Sequence, residues 1–527
     1  MHCENKPSMN PGWPAEPPSN STLTRKLAIN LFLLLASIYF LTSSGNTVDV
    51  TDDAMVRYAM TERLVWNRSL ALPREMGMRW GVPGRDGEYY CKHGLGHSLL
   101  AIPFYLAGRQ FGNPKFLVSL LGPILSAGSC VLLFFLALRL GFTVKMATTL
   151  GLLTGLCTQL WPEAKSPFDH HIETFFSLLC VHQVVVFLEE RNNWRLLLAG
   201  ASLGFAVVTR ITSVLWLIPL TLMFCTSSTK ATPGIHRFKT LVRVGALFAA
   251  GIAPWLAFFF WYNVTRFGSF FETGYSLWAV QKGFNNFGTP LGVGLAGELV
   301  SPWKGLLLYC PIFLLTLAGV KRFLARQRDF GTALIAGSIL YLLFFAKYKG
   351  WHGDIAWGPR FFAFLMPYWM LFVGAAWESL QNPKKWLLRK IAIALVGLSF
   401  LIQLAGVMVD MNLHYMGLLR RGVISHVEAS LYPPGLYFTF HDSPLLNRFW
   451  EIGQALGVVP VQRFEMGVDS AKFAASPSID FWWLEFSMLG AMKAGIWALA
   501  LPFMLEVFAS GHRIRKLLEQ ADNLGCC

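Results

Sequence analysis

The chain has 527 residues, of which 54% are hydrophobic and only 14% charged, and its mean hydropathy is +0.45. A soluble globular chain carries about 25% charged residues, which excludes a string of ordinary soluble domains. The net charge of +15 does not point to nucleic acid. The basic residues fall in short clusters between apolar runs, as charge that sets membrane topology does.

Residues 1–26 are polar and rich in Pro, Ser and Asn, and read as a disordered cytoplasmic N-terminus. Arg25-Lys26 then opens an apolar run over 27–44. Its length and the polar segment before it favour an uncleaved first span over the apolar region of a signal peptide. Further apolar runs cover 115–138, 146–161, 172–188, 195–209, 211–226, 241–262, 304–320, 330–346, 361–378, 390–409 and 482–508. A full crossing takes roughly 20 residues, about 17 at the least. The runs 195–209 and 211–226 are short, and form either two spans meeting at Arg210 or one tilted span.

Charge favours two. With twelve spans and a cytoplasmic start, every short inside connection is basic: Arg25 and Lys26, Arg139 and Lys145, Arg191 and Arg195, Lys230 to Arg243, Lys321 to Arg328, Lys384 to Lys390, and Arg513 to Lys516. Merging the two short runs inverts every later loop. The expected fold is therefore an all-α polytopic integral membrane protein of about 12 transmembrane helices, with a transmembrane domain over 27–509 and a cytoplasmic tail over 510–527. Outside loops cover about 45–114, 162–171, 263–303, 347–360 and 410–481. In the first of these, Leu95 to Ala107 is too short to span and holds Gly, His and Pro, so it reads as an interfacial helix. The nine cysteines show no CxxC and no metal spacing. Most lie in or beside apolar runs as small buried side chains. The terminal Cys526-Cys527 shares a pattern with doubly prenylated tails, too short to carry an assignment.

The unusual residues gather in the outside loops. Asp49-Val-Thr-Asp52-Asp53 is followed by a helix-like stretch in which Asp53 and Arg57 stand four apart and are expected to pair on one face. That pairing leaves Asp52 free to accept a proton. The alternative is that Asp52 only caps the helix beside a surface ion pair. Lys92 and His93 precede the interfacial helix at the depth of a lipid phosphate, where a cation also serves as a plain head-group anchor. In the second outside loop, Asp169, His170, His171 and Glu173 crowd a span boundary. Their spacing matches no zinc signature, and Asp169 is the candidate second carboxylate. Arg210 between two apolar runs is functional by default, with snorkelling as the alternative. The loop holding Trp351, His352, Asp354, Trp357 and Arg360 mixes cations, aromatics and glycine, as a sugar or phosphate pocket does, and Lys304 opens a span from the same side.

These stretches together resemble the GT-C superfamily, polytopic glycosyltransferases that use lipid-phosphate sugar donors, and most closely its branch of bacterial protein O-mannosyltransferases and aminoarabinose transferases. The likeness runs from the first span to about Pro367. It is carried by Asp52-Asp53 with Arg57-Tyr58-Ala59, by Tyr89-Tyr90-Cys-Lys92 leading to Leu99 to Pro103, by Gly204 to Arg210, by Ser301 to Gly305, and by Trp357-Gly-Pro-Arg360. It implies a GT-C type fold with Asp52 as the catalytic carboxylate. Asp53 stands where glutamate is usual, which shortens its reach. Lys92 falls near a lysine that contacts the lipid phosphate, and Asp169 is the counterpart of a second acidic residue. Arg57, Arg210 and Arg360 complete the expected phosphate-binding set.

The expected activity moves a sugar from a polyprenyl-phosphate carrier to the hydroxyl of an unidentified acceptor by inverting displacement, on the periplasmic or outer face of a bacterial inner membrane. Expected partners are the lipid-linked sugar and membrane lipids, not nucleic acid. No cofactor is required by this reading, and the sequence leaves a divalent metal open. The alternative is a transporter or lipid flippase. A transporter is expected to hold its ionisable residues near the bilayer midplane, whereas here they gather at one face.

Overall fold

The computed structural model describes residues 21–228, 235–424, 434–460, 478–484 and 493–523. Residues 1–20, Lys230, parts of the loop 410–481 (425–433 and 461–477), residues 485–492 of the run 482–508, and Cys526-Cys527, for which the sequence raised expectations, lie outside them.

The chain is built of helices. The first, α1 (Ser21–Leu41), is followed by a compact cap of α2 (Asp52–Glu62), α3 (Arg74–Trp80), α4 (Gly96–Gln110) and α5 (Pro114–Ser119). The cap also holds a two-stranded antiparallel ribbon pairing Val82 with Tyr90 and Pro83 with Tyr89. The segment Leu95 to Ala107 falls on α4. Next come α6 (Leu121–Arg139), α7 (Val144–Cys157), the short α8 (Leu160–Ala164), α9 (His170–Glu190) and α10 (Asn193–Thr209). At Arg210 the backbone turns extended, and a 3-10 turn over Ile211–Trp216 leads into α11 (Leu217–Ser228). The runs 195–209 and 211–226 thus form separate elements.

Helices α12 (Ile235–Phe267), α13 (Tyr275–Gln281), α14 (Leu291–Val300), α15 (Leu306–Tyr309), α16 (Thr316–Arg326) and α17 (Arg328–Lys347) follow. The last described are α18 (Met366–Ser379), α19 (Trp386–Met408), α20 (Met411–Arg420), α21 (Pro444–Ala455) and α22 (Lys493–Asn523).

Among the described residues seven helices are long and apolar enough to cross a membrane: 22–41, 114–139, 170–190, 238–267, 328–347, 383–408 and 495–523. The other expected spans are shorter or interrupted. The run 304–320 is broken at Cys310-Pro311, because proline has no N–H for a helix interior, and continues as a 3-10 turn before α16. The run 361–378 begins as a 3-10 turn at Arg360. Helix α22 continues through Asn523, into the segment expected as the tail.

Packing explains the apolar excess. All of Met366 to Ala376 on α18 is buried, as expected of a helix that is hydrophobic all round. By contrast α19 exposes Trp386, Leu387, Leu388, Ile391, Ile393, Leu398 and Leu401. So much apolar surface is stable against lipid tails and not against water. Helices α10 and α12 approach closely through Gly200 and Gly251, where a Cβ would overlap the main chain of the opposing helix.

Candidate active site

A cavity of about 850 Å³ opens among α2, the strap at Lys92–Gly94, the start of α9, the end of α10, α13 and the segment Tyr348–Arg360. Its wall carries Arg57, Arg79, Lys92, Arg210, Arg266, Lys282, Lys349 and Arg360 together with Asp49, Asp52, Asp53, Asp169 and Asp354. Phe259, Phe284, Phe287, Phe344, Phe345 and Phe361 line its apolar part. Among the described residues no group of three or more His, Cys, Asp or Glu side chains is placed to hold a metal ion.

Helix α2 starts in the cavity. Its cap is Thr51, whose hydroxyl accepts the Ala54 N–H at 3.2 Å, so Asp52 is not the cap. Asp52 accepts only the Asp53 N–H at 2.9 Å and forms no ion pair among the described residues. Its side chain faces the open cavity. The surrounding protein raises its pKa above the ordinary carboxylate value, and the neighbouring Asp53 raises it further.

Asp53 does not pair with Arg57, contrary to the expected four-residue spacing. Its Oδ1 instead takes Lys92 Nζ at 3.0 Å and His93 Nε2 at 2.8 Å. An exposed pair four residues apart is worth only about 0.2–0.5 kcal/mol, too little to compete with two enclosed charge-assisted partners. Burial pushes the Asp53 carboxyl up, but His93 and Lys92 pull it well below the usual range. His93 is driven down to about 4, mainly by burial, and is neutral at physiological pH. The partners fix its tautomer: Nε2–H donates to Asp53, and Nδ1 accepts the Tyr275 hydroxyl at 3.2 Å. The Lys92 ammonium also lies 4.9 Å from the centre of the Trp278 ring.

Asp169 precedes the first turn of α9. Its Oδ1 accepts from Arg210 Nη1 at 2.7 Å, and its Oδ2 lies 3.9 Å from Arg57 Nη1. Burial raises this carboxyl, but Arg210 and Arg57 outweigh burial and hold it well below the ordinary range. Asp169 is therefore a firmly ionised clamp for two arginines. Arg210 also meets Glu173 at 3.1 Å, and Glu173 accepts the Ser213 hydroxyl at 3.0 Å. The Arg57 side chain is 2% exposed, and its Nη2 donates to the Pro167 carbonyl at 2.8 Å. Lys92 and Arg210, at 11% and 15%, present more of their charge to the cavity.

The fold thus brings Asp52, Asp53, Arg57, Lys92, His93, Asp169, Arg210, Asp354 and Arg360 to one cavity. It does not bring Lys304, Trp351, His352 or Trp357 to that wall, and their expected place in the pocket is corrected. Lys304 is buried and its ammonium holds the carbonyls of Asp354 at 2.8 Å and Ala356 at 2.6 Å. Trp351 is buried in an aromatic cluster with Trp303 and Tyr437, and the His352 ring stacks on Tyr437 at 4.8 Å. Trp357 packs edge-on against Tyr309. All four buttress the loop from behind.

Several wall residues were not expected from the sequence. Tyr275 and Trp278 sit in the 263–303 segment with no motif around them. Arg266 ends α12 with Nη1 on the Cys91 carbonyl and Nη2 on Asn263 Oδ1 at 2.8 Å, which fixes the main chain one residue before Lys92. A basic residue at the end of an apolar run is a usable signal, and Arg266 has it.

The solved structures that share this architecture include an archaeal and a bacterial membrane protein. The oligosaccharyltransferase of Archaeoglobus fulgidus in its apo form is 15% identical, with a TM-score of 0.51 over 81% of this chain and 61% of that one. ArnT of Cupriavidus metallidurans, solved bound to undecaprenyl phosphate, is also 15% identical, with a TM-score of 0.50 over 87% of this chain and 86% of that one. The chain spans only 61% of the archaeal protein's length. No protein-family model matches the sequence, and no curated protein does. At these identities the likeness establishes a shared all-α polytopic fold.

Proposed function

We propose that the protein is a membrane glycosyltransferase that moves a sugar from a polyprenyl-phosphate carrier to an acceptor hydroxyl on the non-cytoplasmic side of the membrane. The observation that carries the reading is Asp52: a carboxylate with no ion pair among the described residues, facing a cavity of about 850 Å³ in which the neighbouring Asp53 and Asp169 are held by Lys92 and Arg210. The bound undecaprenyl phosphate of the structural neighbour supports the carrier class. The basic inside loops support the sidedness.

The carrier's phosphate lies against Lys92 and Arg210, with Arg57 behind them. The acceptor oxygen attacks the anomeric carbon while Asp52 takes its proton. The bond from the anomeric carbon to the phosphate oxygen breaks, and its electron pair leaves with the polyprenyl phosphate. One displacement inverts the anomeric centre. The leaving group is a weak base, so it needs positive charge rather than an acid. Asp53 and His93 hold Lys92 in place, and Asp169 and Glu173 hold Arg210.

Purified protein in lipid nanodiscs, given undecaprenyl phosphate carrying labelled sugars and a membrane extract as acceptor, tests the reading. Label moving to an acceptor in the wild type but not in Asp52→Asn supports it. Carrier crossing a vesicle bilayer with no sugar moved points to a lipid transporter and overturns it.

A further inference from the structure

We infer that Asp354 and Arg360 bind the ring hydroxyls of the transferred sugar, and that this sugar is uncharged. The inference rests on the glycosyltransferase reading above and adds the class of its sugar.

Both side chains line the cavity, and both have unused hydrogen-bonding capacity. The Asp354 carboxylate is 50% exposed. It approaches only His352 Nδ1 and Arg360 Nη2, each at 3.8 Å and beyond hydrogen-bond distance. The Arg360 side chain is 7% exposed and lies face-on over the Phe168 ring at 3.5 Å. Its Nε and Nη1 are enclosed without an acceptor. Buried polar groups are nearly always satisfied, so an unsatisfied guanidinium at a cavity wall points to a missing partner.

The loop that presents the pair is held in an unfavourable shape. Asp354 has φ +52°, in the left-handed region, between Gly353 at +69° and Gly358 at +59°. Lys304 fixes it from behind, with its ammonium on the carbonyls of Asp354 and Ala356, and the Tyr415 hydroxyl donates to the same Asp354 carbonyl at 3.2 Å. A buried ammonium with only carbonyl partners is costly to maintain. Here it sets where the carboxylate stands, which makes Lys304 a positioning residue.

The chemistry of the pair selects the ligand. A sugar hydroxyl both donates and accepts. Two neighbouring hydroxyls therefore match a carboxylate and a guanidinium side by side, one donating to Asp354 and the other accepting from Arg360. A uronic acid would bring its carboxylate among Asp52, Asp53, Asp169 and Asp354. An amino sugar would bring its ammonium toward Arg360, Lys92 and Arg210. At the sugar-binding pair itself the Asp354 carboxylate and the Arg360 guanidinium stand 3.8 Å apart, and these adjacent opposite charges leave no net attraction for either.

The test measures binding and needs no acceptor. The full chain in nanodiscs is titrated with bare undecaprenyl phosphate and with the same carrier bearing glucose, mannose, galactose, glucosamine or glucuronic acid. The expected result is that at least one neutral hexose tightens binding about tenfold over the bare carrier. Asp354→Asn and Arg360→Lys should each remove that increment, and Asp354→Asn should leave bare-carrier affinity unchanged. Asparagine tolerates the left-handed backbone, so Asp354→Asn keeps the loop. An increment that survives both substitutions, or tightest binding of glucosamine or glucuronic acid, overturns the inference while leaving sugar transfer intact. Failure of the wild type to bind even the bare carrier removes the glycosyltransferase reading and this inference with it.

Discussion

Replacing Asp52 by asparagine is the sharpest perturbation of the proposed chemistry, because the structure separates its catalytic and structural effects. Among the described residues the only hydrogen bond Asp52 accepts comes from the Asp53 N–H, and an asparagine oxygen accepts it equally well. The cap of α2 is Thr51, so the helix start is not touched. The cationic groups around it keep their own partners, Lys92 on Asp53 and Arg210 on Asp169. The variant is therefore expected to melt within about 0.5 kcal/mol of the wild type, as surface substitutions do. What is lost is the proton acceptor. General-base help is worth about 10²–10⁴-fold, a barrier increase of roughly 2.7–5.4 kcal/mol. Single-turnover transfer from a labelled carrier in nanodiscs measures it, with carrier binding as the control. The pH dependence follows from the raised Asp52 pKa. The ionised form is the base, so transfer falls as pH drops through a value above the ordinary 3.8, and the residual activity of Asp52→Asn lacks that acid limb. Transfer within a few-fold of wild type, or an acid limb that persists in the variant, refutes the assignment.

Asp53→Asn should lose about 1.5–3 kcal/mol of stability, because the charge-assisted bonds from Lys92 and His93 are weakened together, and carrier affinity should fall as Lys92 is released. Thermal unfolding and carrier titration read the two effects. The depressed Asp53 pKa has a definite sign: its stabilisation is fully present above the ordinary carboxylate value of 3.8 and is lost as pH falls below that toward the folded value. An Asp53→Asn protein should thus show a shallower acid destabilisation than wild type. Arg210→Met leaves Asp169 and Glu173 buried without their shared cation, and should destabilise by about 3–5 kcal/mol in thermal unfolding. Gly94→Ala should cost about 1–3 kcal/mol, since a Cβ there overlaps the main-chain oxygens of Val208 and Thr209. It should also weaken carrier binding by pushing the Lys92 strap away from Arg210, whereas Gly87→Ala, in open space, should leave carrier binding unchanged apart from the strain of a positive φ.

What the sequence made legible follows from where polar groups can be placed in a membrane protein. Asp169 and Arg210 stand at the ends of apolar runs, where a charge is expensive unless it meets a partner or water, and Asp52 and Lys92 stand in the outside loop on the same side. That alone marks them as belonging together, and the fold places them on one cavity. Pairing was not legible. The Asp53 and Arg57 spacing suggested a helix-face ion pair, but α2 turns Arg57 toward the start of α9 and leaves Asp53 to a strap 39 residues further on. The loop from Trp351 to Trp357 misled in the opposite way: density of aromatics and cations marked a pocket, yet three of its members face the protein. Composition reports that a segment is unusual, while the direction of each side chain depends on backbone angles such as the positive φ of Asp354. Tyr275 was invisible for a related reason. A single hydroxyl that fixes the tautomer of His93 from 182 residues away leaves no local pattern to read. The arrangement of the site is therefore a property of contacts between loops, and the apolar runs determine only that those loops are close enough to meet.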